Sequence, residues 1–265
     1  MFDLIDIGAN LTHDSFDKDR DHVIARAAAV GVNRMIITGA SITGSQDAVT
    51  LAERYKGKFY ATSGVHPHHA TELDAAGLNV ITELANKDCI VAVGECGLDY
   101  FRNFSPRQAQ LQAFRDQLSV AVGVKKPVFL HQRDAHDDFI AILKEYLPDL
   151  HGGVAHCFTG TPEQMDEYLG MGFYIGVTGW ICDERRGHDL QDAVKGLPLD
   201  RVLIETDAPY LMPRDLKEKP DPRRNEPSTL PHILESLARH MNQPAAAVAQ
   251  AVTENTERLF GLAAN

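Results

Sequence analysis

At 265 residues, with 44% hydrophobic and 24% charged side chains, the chain carries enough apolar content for a sizeable core, which excludes intrinsic disorder. A formal net charge of −11 excludes a protein that coats duplex nucleic acid, while leaving room for an enzyme that grips a few phosphates through metal ions and local arginines. Cys89, Cys96, Cys157 and Cys182 form no CxxC pair, no long apolar run occurs, and the start MFDLIDIGANL carries Asp3 and Asp6 where a leader would need basic residues; a cytoplasmic, membrane-free chain with reduced thiols is expected.

Taken in order, a β-rich apolar run LIDIG is followed by the amphipathic stretch DRDHVIARAAAVGV, then RMIITGA by SQDAVTLAERY, and FYATSGVHP by GLNVITELANK. IVAVGECG precedes RQAQLQAFRDQLSVAVGV, PVFLHQR precedes HDDFIAILKEYL, GVAHCF precedes EQMDEYLGMG, and FYIGVTG precedes DLQDAVKGL. RVLIETDAP is the eighth strand candidate, and two helices, within LPHILESLARHMNQPAAAVAQAVTENTERLFGL, close the series. Nearly continuous apolar strands imply burial on both faces, as in a parallel sheet. A closed α/β barrel, the TIM (β/α)8 fold, is preferred over a doubly wound sheet because the unusual polar residues stand at the ends of several successive strands. One domain over residues 1–265 is expected, with Pro213 to Pro227 as the longest irregular stretch.

Those strand ends carry the chemistry. Glu95 ends the fourth strand between Gly94 and Gly97, which leave space for something to approach; a salt-bridged strand-end acid is the plain alternative. His131 ends the fifth strand and His156 the sixth. A carboxylate and two imidazoles on consecutive strand ends are the usual ligands of a catalytic divalent metal such as zinc or manganese. Asp207 ends the eighth strand, placed to bind metal or to take a proton from water, with Glu205 on the same strand face as a supporting group. Within SGVHPHHA, which adds His68 and His69, His66 is best placed to touch a phosphate or leaving group.

GVHPH, GECGLD, HQRDAH, AHCFTG, ETDAPYL and RRNEP, in this order from about residue 3 to Gly261, resemble the TatD family of metal-dependent deoxyribonucleases. The resemblance implies a TIM barrel of the metallo-dependent, amidohydrolase-like kind acting as a Mg²⁺-dependent 3′-5′ exonuclease on the 3′ ends of single-stranded DNA and RNA, in DNA repair or nucleic-acid turnover. Carried over by position, it makes Glu95, His131 and His156 metal ligands, gives Asp207 and Glu95 catalytic parts, and sets His66 near substrate. Most relatives open with Asp-x-His-x-His, whereas this chain reads Asp6, Ile7, Gly8, Ala9, Asn10. One well-formed metal site is therefore expected, with a weaker second Mg²⁺ near Asp207 and Asn10. Arg133, Arg185, Arg186, Arg223 and Arg224 are the expected phosphate contacts, and Tyr100, Phe101, Phe158 or Trp180 the expected base-stacking ring. Mn²⁺ or Zn²⁺ in place of Mg²⁺ stays open, as do an esterase, lactonase or aminoacyl hydrolase on the same barrel and a binding protein with a decayed metal site. A monomer without a stable protein partner is expected.

Overall fold

The structure is a computed structural model and describes residues 2–220 and 224–263. Eight strands, β1 (Leu4–Ala9), β2 (Val32–Ile37), β3 (Phe59–Ser63), β4 (Ile90–Asp99), β5 (Val128–Arg133), β6 (Gly153–Ala155), β7 (Tyr174–Val177) and β8 (Val202–Ile204), form one sheet in chain order. Helices α1 (Arg20–Ala29), α2 (Ile42–Arg54), α3 (Ala75–Ala85), α4 (Arg107–Val124), α5 (His136–Tyr146), α6 (Pro162–Gly170) and α7 (His188–Ala193) separate them, and α8 (Leu230–His240) and α9 (Ala245–Phe260) follow. This is the (β/α)8 arrangement that the apolar runs predict, with a helical crossover between successive parallel strands. No helix among the described residues is long and apolar enough to cross a membrane.

The chain forms two compact units. The first, residues 1–36 with 157–265, contains β1, β7, β8, most of β2, α1 and α6 to α9. Its first and last strands meet beyond their ends, where Asp207 N donates to Gly8 O at 2.8 Å and Asn10 N to Ala208 O at 2.9 Å. Asn255 of α9 donates from Nδ2 to the carbonyls of Leu199 and Val202, tying the last helix to the foot of β8. Thr161 and Gln164 make a reciprocal capping box at the start of α6, and Pro162 occupies its first turn, where a missing N–H costs nothing.

The second unit, residues 37–156, contains β3 to β6 and α2 to α5. All ten residues of β4 are buried, Glu95 and Asp99 among them. Gly94 and Gly97 flank Glu95 at φ 142° and 149°, and a Cβ on either would strike a β5 carbonyl, of Phe129 or of His131. What approaches these glycines is thus the backbone of the neighbouring strand, not a ligand, which corrects the sequence expectation. Two buried glutamines on one face of α4, seven residues apart, hold the strand ends. Gln117 accepts from Val65 N at 2.7 Å and donates to its carbonyl at 3.0 Å; Gln110 does the same for Asp99 at 2.8 and 3.0 Å. Side-chain amides here complete the strand-end backbone that no further ladder can satisfy.

Candidate metal centre

Glu95 interrupts the β4–β5 ladder: Gly94 pairs with Phe129 and Cys96 with Leu130, so Glu95 has no β5 partner, and its N–H goes instead to Gly39 O at 2.8 Å. Such an irregularity re-aims a side chain. Oε1 of Glu95 then meets three imidazoles, His131 Nδ1 at 3.0 Å, His66 Nε2 at 3.4 Å and His156 Nε2 at 3.5 Å. Asp99, two residues beyond Gly97, receives His68 Nε2 at 2.9 Å and His131 Nε2 at 3.3 Å on Oδ2, and Arg102 N at 2.8 Å on Oδ1.

Burial works against the charge on both acids, and the imidazoles outweigh it. The imidazoles of His66 and His156 that face it, with the hydrogen bond from His131, hold Glu95 well below the usual carboxylate range. Hydrogen bonds from His131, His68 and the Arg102 backbone do the same for Asp99. His131 is also buried, but its bonds to Asp99 and Glu95 prevail and raise its pKa. Burial takes His66 the other way, well below the ordinary histidine value, so its ring is neutral.

Ring protons sort these histidines into two kinds. Nδ1 of His66 accepts the His68 N–H at 3.1 Å, so the single proton of a neutral His66 sits on Nε2, facing Glu95. His66 is a donor. In His131, Nε2 faces the Asp99 carboxylate while Nδ1 faces Glu95, the carboxylate–histidine arrangement that orients a metal-ligating ring. The donor atoms of His66, Glu95 and His131 lie close enough together to hold a divalent metal ion, and His156 faces the same Glu95 oxygen. The sequence reading names Glu95, His131, His156 and His66; it gives His68 no role and misses Asp99, Gln110 and Gln117.

In the other unit, Asp207 sits in the left-handed region at φ 54° and accepts from Asn10 Nδ2 at 2.9 Å. Because β8 ends at Ile204, strand alternation does not carry from Glu205 to Asp207; Glu205 is turned instead to the backbone N–H of Cys157, at 2.6 Å. Asp6 is buried beneath this turn. It accepts from Thr206 Oγ1 at 2.5 Å, Thr206 N at 3.0 Å and Gly8 N at 3.2 Å, yet burial outweighs these neutral donors and pushes its pKa up to about 7.

The expected phosphate contacts divide. Arg224 is committed internally: Nη2 lies 2.5 Å from Asp19 and 3.3 Å from Glu226, Nη1 donates to Ser15 O, and the guanidinium covers Phe16. Arg186 grips Asp183 through Nε and Nη2, at 2.9 and 2.8 Å, and lies over Trp180. Arg185 is open to solvent, its Nε 3.9 Å from Glu184, and Arg133 lies 5.0 Å from the Phe101 ring. Arg223 falls outside the described residues. Among the proposed stacking rings, Phe158 is buried, Trp180 is covered by Arg186, and Tyr100 lies under Arg107 with its hydroxyl donating to Asp138 at 2.7 Å.

The model of the family described as TatD related DNase matches residues 5–261. The chain is 49% identical over 260 residues to a protein of Escherichia coli (strain K12) named 3′-5′ ssDNA/RNA exonuclease TatD, covering 98% of this chain and 100% of that one. It is 50% identical over 259 residues to the protein of the same name from Citrobacter rodentium, covering 98% of each. The crystal structure of a TatD family hydrolase from Entamoeba histolytica superposes with a TM-score of 0.90 at 30% identity, covering 99% of both chains.

Proposed function

The chain belongs to the TatD-related DNase family, and we propose that it is a 3′-5′ exonuclease hydrolysing phosphodiester bonds at the 3′ ends of single-stranded DNA and RNA with Mg²⁺. The observation that carries this reading is the convergence of His66, His131 and His156 on Glu95 Oε1, in a chain so close over its whole length to relatives bearing that name.

Glu95, His131 and His156 would hold the ion, with Asp99 fixing the His131 ring. A bound divalent ion supplies Lewis acidity toward a phosphoryl oxygen and lowers the pKa of water. The chain's own groups do the rest. His66, beside Glu95, stands where the phosphate or leaving oxygen would lie. Asp207 accepts the proton of the attacking water, its Oδ1 steadied by Asn10. Arg133 and Arg185 neutralise the remaining phosphate charge, while Arg224 and Arg186 make close hydrogen-bonded pairs with Asp19 and Asp183 that hold the fold.

A 3′-labelled single-stranded oligonucleotide and its blunt duplex, each incubated with Mg²⁺ or EDTA, test the reading. Loss of the 3′ label from the single strand only with Mg²⁺ is expected. Absence of cleavage with Mg²⁺, Mn²⁺ and Zn²⁺ would defeat it.

A further inference from the structure

Large hydrophobic side chains left in water among the described residues are Phe101, Phe104 and Tyr210, at 58%, 68% and 53% exposure, and two of the three share one short loop. That loop leaves β4 directly after Asp99 and enters α4 at Arg107. Its backbone is fixed at both ends and in the middle. Tyr100 N donates to Arg133 O at 2.9 Å and Arg102 N to Asp99 Oδ1 at 2.8 Å. Ser105 Oγ donates to His68 O at 2.9 Å, and Gln110 Nε2 to Ser105 O at 2.8 Å. The two rings are therefore presented by an ordered scaffold, and little conformational freedom is left to lose when something covers them.

Their neighbours say what would cover them. Phe104 packs edge-on against His68 at 4.7 Å between centroids, and His68 shares the Asp99 carboxylate with His131. The guanidinium groups of Arg133 and Arg102 lie over the largely exposed Phe101 ring, 5.0 and 5.8 Å from its centroid. Exposed rings with cations against them, Phe104 reaching the candidate metal centre through His68, match the alternation of base and phosphate in an unpaired strand. Bases within a duplex already spend their faces on each other.

We propose that Phe101 and Phe104 are a stacking platform for the unpaired bases next to the scissile phosphodiester, with Arg102 and Arg133 serving the adjoining phosphates. The proposal rests on the exonuclease reading and supplies its single-strand preference; the assignment of Phe104 has no counterpart in the sequence expectations.

The test compares wild type, the double variant Phe101→Ala with Phe104→Ala, and the double variant Phe101→Leu with Phe104→Leu, on a single strand and on the same strand with abasic terminal nucleotides. Leucine keeps apolar bulk beside His68 and removes the π face. Both variants are expected to raise KM on the ordinary strand by about tenfold or more, with kcat within about twofold, and to leave KM on the abasic strand unchanged. Unaltered KM on the ordinary strand, or equal loss on both strands, would overturn the platform. Binding separates its failure from that of the exonuclease reading. In EDTA, a strand ending in 2-aminopurine should be quenched by wild type and not by the alanine variant, whether or not the wild type cleaves it; no quenching by wild type also overturns the platform.

Discussion

In the 37–156 unit, Glu95 and Asp99 are buried among imidazoles and stay ionised, whereas Asp6 in the other unit, just as deeply buried, meets the hydroxyl and N–H of Thr206 and the N–H of Gly8 and is pushed up to about 7. Both environments satisfy their acids with hydrogen bonds. Only the first supplies positive charge. A buried strand-end acid is therefore not by itself a sign of a site; the charge state of its partners separates the candidate metal centre from a knot that pins β1 to the turn after β8.

Removing the charge at the centre of the first environment should have the largest effect. Glu95→Gln keeps shape and is expected to lower kcat/KM by about three orders of magnitude and to strip the metal found by elemental analysis, with circular dichroism unchanged. Full activity in this variant would make the imidazole cluster merely structural.

Asp6→Asn sharpens the contrast from the other side. Between its ordinary 3.8 and about 7, folded Asp6 holds a proton that the unfolded chain has released, so stability from this group falls as pH rises through that window. The loss amounts to about 4 kcal/mol at most, at ~1.36 kcal/mol per pKa unit. Glu95 and Asp99 act with opposite sign: their contribution is present above the ordinary carboxylate range and is lost as pH falls below it. Melting of the metal-free protein across that window should thus be flatter in Asp6→Asn than in wild type, and identical slopes would refute a protonated Asp6.

The smallest change is expected from Asp99→Asn, which leaves His131 in place but weakens its orientation. Metal affinity measured by chelator competition should fall about 10- to 100-fold. Undiminished affinity would reduce Asp99 to a simple partner of His68.

The fold was legible because each strand is a short apolar run and each helix carries its own period; α4 occupies the predicted Arg107 to Val124. β6 and β8 are shorter than their runs: regular pairing stops before HCF and ETDAP, although His156 and Glu205 still donate to the neighbouring strand. Glu95, His131 and His156 could be read from strand ends. Asp99 could not, since the reading stopped the fourth strand at Gly97, although the Leu98–Asp99 continuation was the available signal. Gln110 and Gln117 at heptad spacing on an otherwise apolar face were a second. The Arg224–Asp19 pair joins residues 205 apart in sequence, and no local pattern announces it.

With His131 as a ligand, as proposed, its place between two acids would make metal uptake an exchange reaction. Without a metal, both ring nitrogens face carboxylates, Nδ1 toward Glu95 and Nε2 toward Asp99, and these contacts favour the doubly protonated ring. A cation taken on Nδ1 must release one of those protons. Because the His131 pKa is raised, that release becomes easier as pH climbs through the elevated value, and acid reverses it. Purification at lower pH is therefore expected to leave less metal on the protein.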